Sequence, residues 1–545
     1  MTGPAPWAWL KPPPAHLRAY PGTGVWRDRT LAEDAFEWAE KAPDAVVFLD
    51  EPRAPTYASL IADAEALAVS MWDLGLRPGE VISFQTPNWV EAAVINLAAA
   101  LMGLVINPII IIYRDAEVRQ MLTDSGARLI FLCESFRGYD FAAMVARIRP
   151  DLPGEIHVAT VRGAADGPLS YEAMIEAGRG RRLNAPKVDP DSVKMLLYTS
   201  GTTGRPKGVL HSHNTLARAV ACGARHWRIQ PGEAILMPSP VTHVSGYSNG
   251  LELPFLIGTR TVLMEAWQAD QALDLIERYD VVGTVAATPF LQELAMKAVA
   301  GERKLASLRF FACGGAAVPR EIVRTANKAF AAPAAFRVFG SSEVPLVTLG
   351  FMGPGKGELA ATTDGEIVDY EVRFVDDSGA DVPEGAEGEI LARGPAMFMG
   401  YADQGQTREA LTEDGFFRTG DIGLRTTDNA LLITGRKKDL IIRGGENLSA
   451  KEIEDVLYRH PAVMEAAVVA MPHPRLGEGV AAFVIPVPGE AVDLAALSAF
   501  VGASGLANQK RPEKIFFVDS LPRTASGKVR KDLLRAEAKR LVEGV

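Results

Sequence analysis

MLLYTSGTTGRPKGVLHS, residues 195–212, opens on an apolar run, passes through glycine and hydroxyl residues, and closes on a second apolar run. The loop carries the hydroxyls of Thr199, Ser200, Thr202 and Thr203 together with Gly201 and Gly204. Glycines let successive backbone N–H groups turn inward as an anion nest, and hydroxyls add further donors. Arg205 and Lys207 set two cations beside it, a combination that suits a triphosphate. The pattern is not GxxxxGK[ST], because Gly201 and Gly204 are three apart and Lys207 precedes Gly208.

On both sides of this loop, short apolar runs recur between helical patterns. They include GEVISFQTPN (79–88), ARLIFLCES (127–135), VVGTVAATP (281–289) and LRFFACGGAAVP (308–319). Each runs into Gly, Pro, Ser or Thr and then an amphipathic segment such as PFLQELAMKAVA, so strand–loop–helix units around mostly parallel sheet are expected. Ligands of such sheets bind at the carboxyl ends of the strands. Between 360 and 395 the alternation in EIVDYEVRFVD and EGEILARG predicts a small antiparallel β unit. Beyond Gly435, SAKEIEDVLYRH is an amphipathic helix with Ser449 as N-cap and Glu452 completing a capping box. AVMEAAVVAMP and GVAAFVIPV then read as strands. The fold class is therefore α/β. A large N-terminal domain of layered α/β sheets with a small β unit spans 1–437, and a small α+β domain spans 438–545.

Bulk properties agree with this division. At 545 residues the chain exceeds what one core supports, since single cores stop growing near ~250–300 residues. A hydrophobic share of 48% with 23% charged residues is that of a folded protein. The net charge of −10 excludes a non-specific nucleic-acid binder. Cys133, Cys222 and Cys313 are scattered, which excludes a disulfide framework and fits a reducing cytoplasm. The opening MTGPAPWAWLKPPPAHLRAY shows no signal-peptide pattern. AAVINLAAALMGLVINPIIII, residues 92–112, is long enough to span a bilayer. Asn96, Gly103 and the turn pair Asn107-Pro108 break it, so a buried helix, a turn and a buried strand are expected in place of a membrane span. His211 and His213 alternate along one predicted strand without a Cys or carboxylate partner, so they take structural roles.

The loop at 198–208 resembles, residue for residue, the phosphate loop of the adenylate-forming superfamily. That superfamily includes acyl-CoA synthetases, aryl-CoA ligases, firefly luciferases and peptide-synthetase adenylation domains. Further similar motifs follow in order: PVTHVSGYSNG (240–250), FFACGGAAVP (310–319), FGSSEVP (339–345), GFFRTGD (415–421), GRKKDLIIRGGENLSAKEIE (435–454) and PRTASGKVRK (522–531). The resemblance covers roughly 50–540.

It implies roles residue by residue. Thr199, Ser200, Gly201, Thr202, Thr203, Gly204 and Lys207 would hold the phosphates of ATP. Gly315, Ala316 and Ala317 would pack against adenine, with Phe339, Gly340, Ser341 and Ser342 completing the nucleotide site. Glu343 would hold Mg2+, and Asp421 and Arg436 the ribose. His243, Val244, Gly246, Tyr247, Gly314 and Gly315 would line the acyl pocket. Lys438 falls at the family's hinge, which makes the C-terminal domain mobile, and Gly444 and Gly445 would line the path of coenzyme A. Lys528 would be catalytic, aided by Thr199, Glu343 and His243. Two positions depart from the family pattern: Ser342 stands where Thr is usual and Phe339 where Tyr is common.

The implied activity is that of an ATP-dependent, AMP-forming acid–CoA ligase using ATP, Mg2+ and coenzyme A. FRGYDFAAMVARIRPDLP (136–153) is similar to segments of cyclohexanecarboxylate and medium-chain ligases, so a medium-chain or alicyclic acid is expected. The alternatives are an aryl- or longer fatty-acid–CoA ligase, or an adenylation domain loading a carrier protein. The segment 240–250 lacks the Asp that pairs an amino-acid substrate, and no carrier-domain sequence follows. Small molecules are the expected partners, with no nucleic acid and no membrane span, in a cytoplasmic monomer or homodimer.

Overall fold

The computed structural model describes every residue except 1–6, 8, 11, 52, 164–168, 185–186, 200–205, 316–317, 491, 525–526 and 544–545. Val193–Thr199 and Lys207–Ser212 are strands of a seven-stranded sheet and pair antiparallel, with Thr199 opposite Lys207. The two strands are therefore the arms of a hairpin. On the other side of Val193–Thr199 the sheet continues through Val105–Pro108, Val81–Gln85, Leu129–Cys133 and His157–Val161, all parallel. A second sheet of six strands is parallel throughout, in the order Phe48–Leu49, Arg260–Leu263, Ala234–Met237, Val281–Ala286, Phe310–Cys313 and Ala335–Arg337.

Val90–Met102 is a helix buried at nearly every position, and it ends at Gly103 in the left-handed region with φ 66°. A helix that is apolar all round belongs between layers. The turn thus falls at Gly103 and not at Asn107-Pro108, which lie within the strand opposite Ser83 and Phe84. Pro108 is the strand's last residue. His213 also departs from its predicted strand: it begins the helix His213–His226, capped by Ser212.

Glu371–Val375, Gly388–Arg393, Phe417–Arg425 and Leu431–Arg436 form the small antiparallel unit. From Leu440 the chain builds a further five-stranded sheet with its own two hydrophobic clusters. Its first hairpin turns at Gly444 and Gly445, with φ 61° and 90°. Two consecutive positive φ values are what a type I′ turn demands. The capping box predicted at 449–452 forms only by half. Ser449 accepts from the Glu452 N–H, but the Glu452 carboxylate is drawn off to Lys510 at 2.5 Å. The three cysteines are buried and unpaired, and burial pushes the thiols of Cys133 and Cys313 up to about 12. Among the described residues, no helix is long and apolar enough to cross a membrane.

Candidate active site

Four neighbouring strands of the six-stranded sheet release their chain at one edge. Ala234–Met237 leads to His243, Val281–Ala286 to Ala287, Phe310–Cys313 to Gly314-Gly315, and Ala335–Arg337 to Phe339-Gly340. All four run parallel, so their carboxyl ends share that edge, where α/β sheets bind ligands. Gly314 and Gly340 are required by close approach. A Cβ at Gly314 would stand 2.6 Å from the Val338 carbonyl oxygen, and one at Gly340 2.5 Å from the Leu346 nitrogen.

Glu343 follows on a tight turn in which the Ser341 hydroxyl accepts from the N–H groups of Glu343 and Val344 at 3.2 and 3.3 Å. The Glu343 carboxylate is buried, and its Oε1 accepts from the Tyr401 hydroxyl at 2.8 Å. The Lys207 ammonium lies 4.9 Å from the centre of the Tyr401 ring. Lys207, Tyr401 and Glu343 therefore form a chain from the Gly/Thr hairpin to the sheet edge. Tyr401 was missed at the sequence level, because nothing in MFMGY (397–401) distinguishes it from an ordinary core aromatic.

The residue before Glu343 is also fixed. His211 Nε2 lies 2.7 Å from the Ser342 carbonyl oxygen and Nδ1 lies 3.0 Å from the Thr215 hydroxyl. Nε2 therefore carries the proton, and His211 has the expected structural role; His213 likewise accepts from the Leu31 N–H at 3.2 Å.

Asp421 and Arg436 face each other on adjacent antiparallel strands and form a two-point ion pair, with one contact at 3.2 Å. Lys528 reaches this pair from the C-terminal unit. Its loop is closed by Thr524, whose N–H donates to the Lys528 carbonyl at 2.7 Å. A Cβ at Gly527 would meet that of Ala287 at 3.9 Å, so Gly527 lies over the sheet edge. Burial lowers the Lys528 pKa from the ordinary lysine value, helped by Arg436 and Lys438 and opposed by Asp421 and Glu343. His243, half-buried, caps the turn Val244–Gly246 and holds the Ser245 hydroxyl at 3.0 Å through Nδ1. Burial, with the charge of Lys528 added to it, pushes its pKa down to about 4, so the ring is neutral at pH 7.

The structure thus brings Glu343, Asp421, Arg436, Lys528 and His243 together, and Thr199 and Lys207 stand at the mouth of the hairpin. Ser200, Gly201, Thr202, Thr203, Gly204, Ala316 and Ala317 lie outside the described residues. Three further positions are placed by the structure, with their roles left as expected from the sequence. Tyr247 is fully buried and its hydroxyl is engaged by Lys194 at 2.8 Å, so it buttresses the acyl segment from behind. Lys438 is exposed in the short turn Lys437–Asp439, where its carbonyl accepts from Arg535 at 2.8 Å. Gly444 and Gly445 form an exposed hairpin tip, and the Gly444 N–H donates to the Leu476 carbonyl at 2.9 Å.

Among the described residues Glu343 takes a side-chain donor at Oε1 alone, from Tyr401, which fits a hard cation that takes its other ligands from phosphate and water. Among the described residues no group of three or more His, Cys, Asp or Glu side chains could hold a metal alone.

A family model described as AMP-binding enzyme matches residues 35–402, and one described as AMP-binding enzyme C-terminal domain matches 452–528. The chain is 34% identical over 526 residues to a medium-chain fatty-acid–CoA ligase of Escherichia coli, covering 96% of this chain and 93% of that one. It is 31% identical over 533 residues to a vibriobactin-specific 2,3-dihydroxybenzoate-AMP ligase of Vibrio cholerae, covering 96% of each. Among solved structures, ATP-bound MatB from Rhodopseudomonas palustris superimposes with a TM-score of 0.82 at 28% identity, covering 94% of this chain and 99% of that one.

Proposed function

Because the chain belongs to the AMP-binding enzymes, the adenylate-forming superfamily, we propose that it activates a carboxylic acid with ATP and passes the acyl group to coenzyme A. The observation that carries this reading is the approach of Lys528, on the C-terminal unit, to Asp421, Arg436, Glu343 and His243 at one sheet edge.

A carboxylate attacking the α-phosphorus of ATP meets negative charge, and pyrophosphate must leave with more. Both difficulties are electrostatic, so fixed donors serve where a nucleophilic side chain would not. Lys528 bridges the acid's carboxylate and the α-phosphate oxygens in this reading. Asp421 accepts from the ribose hydroxyls while Arg436 holds it in place. Lys207 and the 199–204 hairpin receive the pyrophosphate oxygens. Mg2+ on Glu343 would neutralise phosphate charge when bound. His243, neutral at pH 7, donates to or accepts from the acid without adding charge. In the second step the thiolate of coenzyme A attacks the acyl carbonyl and AMP leaves. We assign that step to a second pose, reached by rotation of residues 438–545 about Lys438 against the 1–437 unit.

The acid is a medium-chain or alicyclic one, supported by the apolar residues Val241 and Val244 beside His243 and by the E. coli relative's substrate class. The cytoplasm is its compartment, in keeping with three unpaired cysteines. Exchange of labelled pyrophosphate into ATP, driven by acids of graded length and ring type, tests the first step. Acid-dependent exchange is expected, followed by acyl-CoA when coenzyme A is added. No exchange with any acid would overturn the activity, and exchange without acyl-CoA would turn the second step towards another thiol.

A further inference from the structure

Behind the acyl segment lies a buried polar quartet that the mechanism above does not use. Lys194 and Glu252, each with a side chain only 2% exposed, form an ion pair of 2.6 Å inside the N-terminal domain. The Lys194 ammonium also donates to the Tyr247 hydroxyl at 2.8 Å and to Asn96 Oδ1 at 3.2 Å. Its three protons thus meet three acceptors. Asn96 Nδ2 in turn donates to Glu252 at 2.8 Å.

The placement of these four residues is informative. Lys194 lies on the strand that runs directly into Thr199 and the phosphate hairpin. Tyr247 and Glu252 are the first and last residues of a π-helical turn, which follows His243 and the turn Val244–Gly246. In an α-helix, residues at i and i+5 point ~140° apart. A π-turn is closed by i→i+5 hydrogen bonds, and its wider winding brings positions i and i+5 much closer to one side. The π turn brings Tyr247 and Glu252 towards one side, where both contact Lys194. The register of that turn decides which side chains between them face the acid and which face the core. A buried cation with three fixed acceptors is a strong reason for an uncommon turn to persist, because leaving any one unpaired is costly.

We propose that the Lys194–Glu252–Tyr247–Asn96 quartet holds the π register of residues 247–252 and thereby sets the enzyme's selectivity among acids. The four are positioning residues, acting through the segment that carries His243. The inference rests on the acid-activating reading above.

The test compares wild type with Lys194→Met/Glu252→Gln, which removes both buried charges and leaves neither unpaired. The probes are butanoate, octanoate, dodecanoate and cyclohexanecarboxylate in the pyrophosphate-exchange assay. The double variant is expected to melt within a few degrees of wild type and to keep its KM for ATP. Its kcat/KM ratio between best and worst acid is expected to fall by about tenfold or more, the scale on which pocket shape discriminates acyl groups. A folded double variant with the wild-type acid ratio overturns the proposal, as does a rise in KM for ATP equal to that for the acid. If the double variant fails to fold, Tyr247→Phe carries the same comparison, since it keeps the ion pair and removes one anchor of the turn. A wild-type protein with no acid-dependent exchange overturns the functional reading itself, which separates the two failures.

Discussion

Tyr401 shows how one hydroxyl prepares a carboxylate for a cation. By donating to Glu343 Oε1 it fixes the carboxylate's rotation and leaves Oε2 for another partner. Tyr401→Phe is expected to lower exchange by about tenfold at limiting Mg2+, the cost of one charge-assisted hydrogen bond, and to recover at high Mg2+. A Mg2+ titration identical to wild type would remove that role. Lys528→Ala is expected to abolish acyl-AMP formation while thioester formation from supplied acyl-AMP persists; equal loss of both would contradict the alternating-pose mechanism. The Lys528 pKa is lowered by burial, so its positive charge is lost as pH rises through a value below that of a free lysine. Exchange should therefore fail on the alkaline side earlier than lysine's ordinary 10.5 predicts, as a pH–rate profile would show. Lys528, Glu343, Asp421 and Arg436 were legible because each sits in a local motif. Tyr401 and Lys194 were not, because their partners are 58 residues away in sequence and only tertiary packing joins them.

Ser449 marks the scale of elements. Its hydroxyl accepts from the Glu452 N–H, capping the helix Ala450–Leu457, and donates to the Thr434 carbonyl on the strand before the Lys437–Asp439 turn. The first bond belongs to the small unit alone, whereas the second joins it to the large one in this pose. The two are separable, since aspartate caps a helix as well as serine but has no proton to donate. Ser449→Asp is expected to keep the melting temperature, slow exchange severalfold and leave thioester formation from acyl-AMP intact, whereas Ser449→Thr behaves as wild type. Loss in both half-reactions would show that the bond to Thr434 is not specific to the pose of the first step. Periodicity revealed the elements on either side of this junction because helices and strands advertise their buried faces. It misplaced the turn near Asn107-Pro108 because the signal that ends the helix is Gly103, and a strand-final proline looks the same as a turn proline in sequence. The half-formed capping box failed for a similar reason: Lys510, far along the chain, competes for Glu452.

At the scale of the whole molecule, histidine burial sets the acid limit of stability. Burial pushes His211 down to about 4 from an ordinary 6.5. The unfolded chain takes up its proton near 6.5 and the folded one only near 4, so protonation favours unfolding across that window. The stabilisation is complete above 6.5 and is lost as pH falls towards 4. His213 is lowered in the same direction, by burial and then by the Lys194 charge. Melting temperature should therefore decline between pH 6.5 and 4, and His211→Gln, though less stable at neutral pH, should decline less steeply; parallel curves would reject the assignment. The cysteines carry a different consequence. In a catalyst that generates electrophilic acyl groups, burial keeps the thiols protonated and covered, that of Cys313 next to Gly314 included, so self-acylation is disfavoured. The same concealment leaves the protein silent to maleimide dyes, so Glu446→Cys on the exposed hairpin would accept a single fluorophore, and each turnover could be followed as the label changes its surroundings.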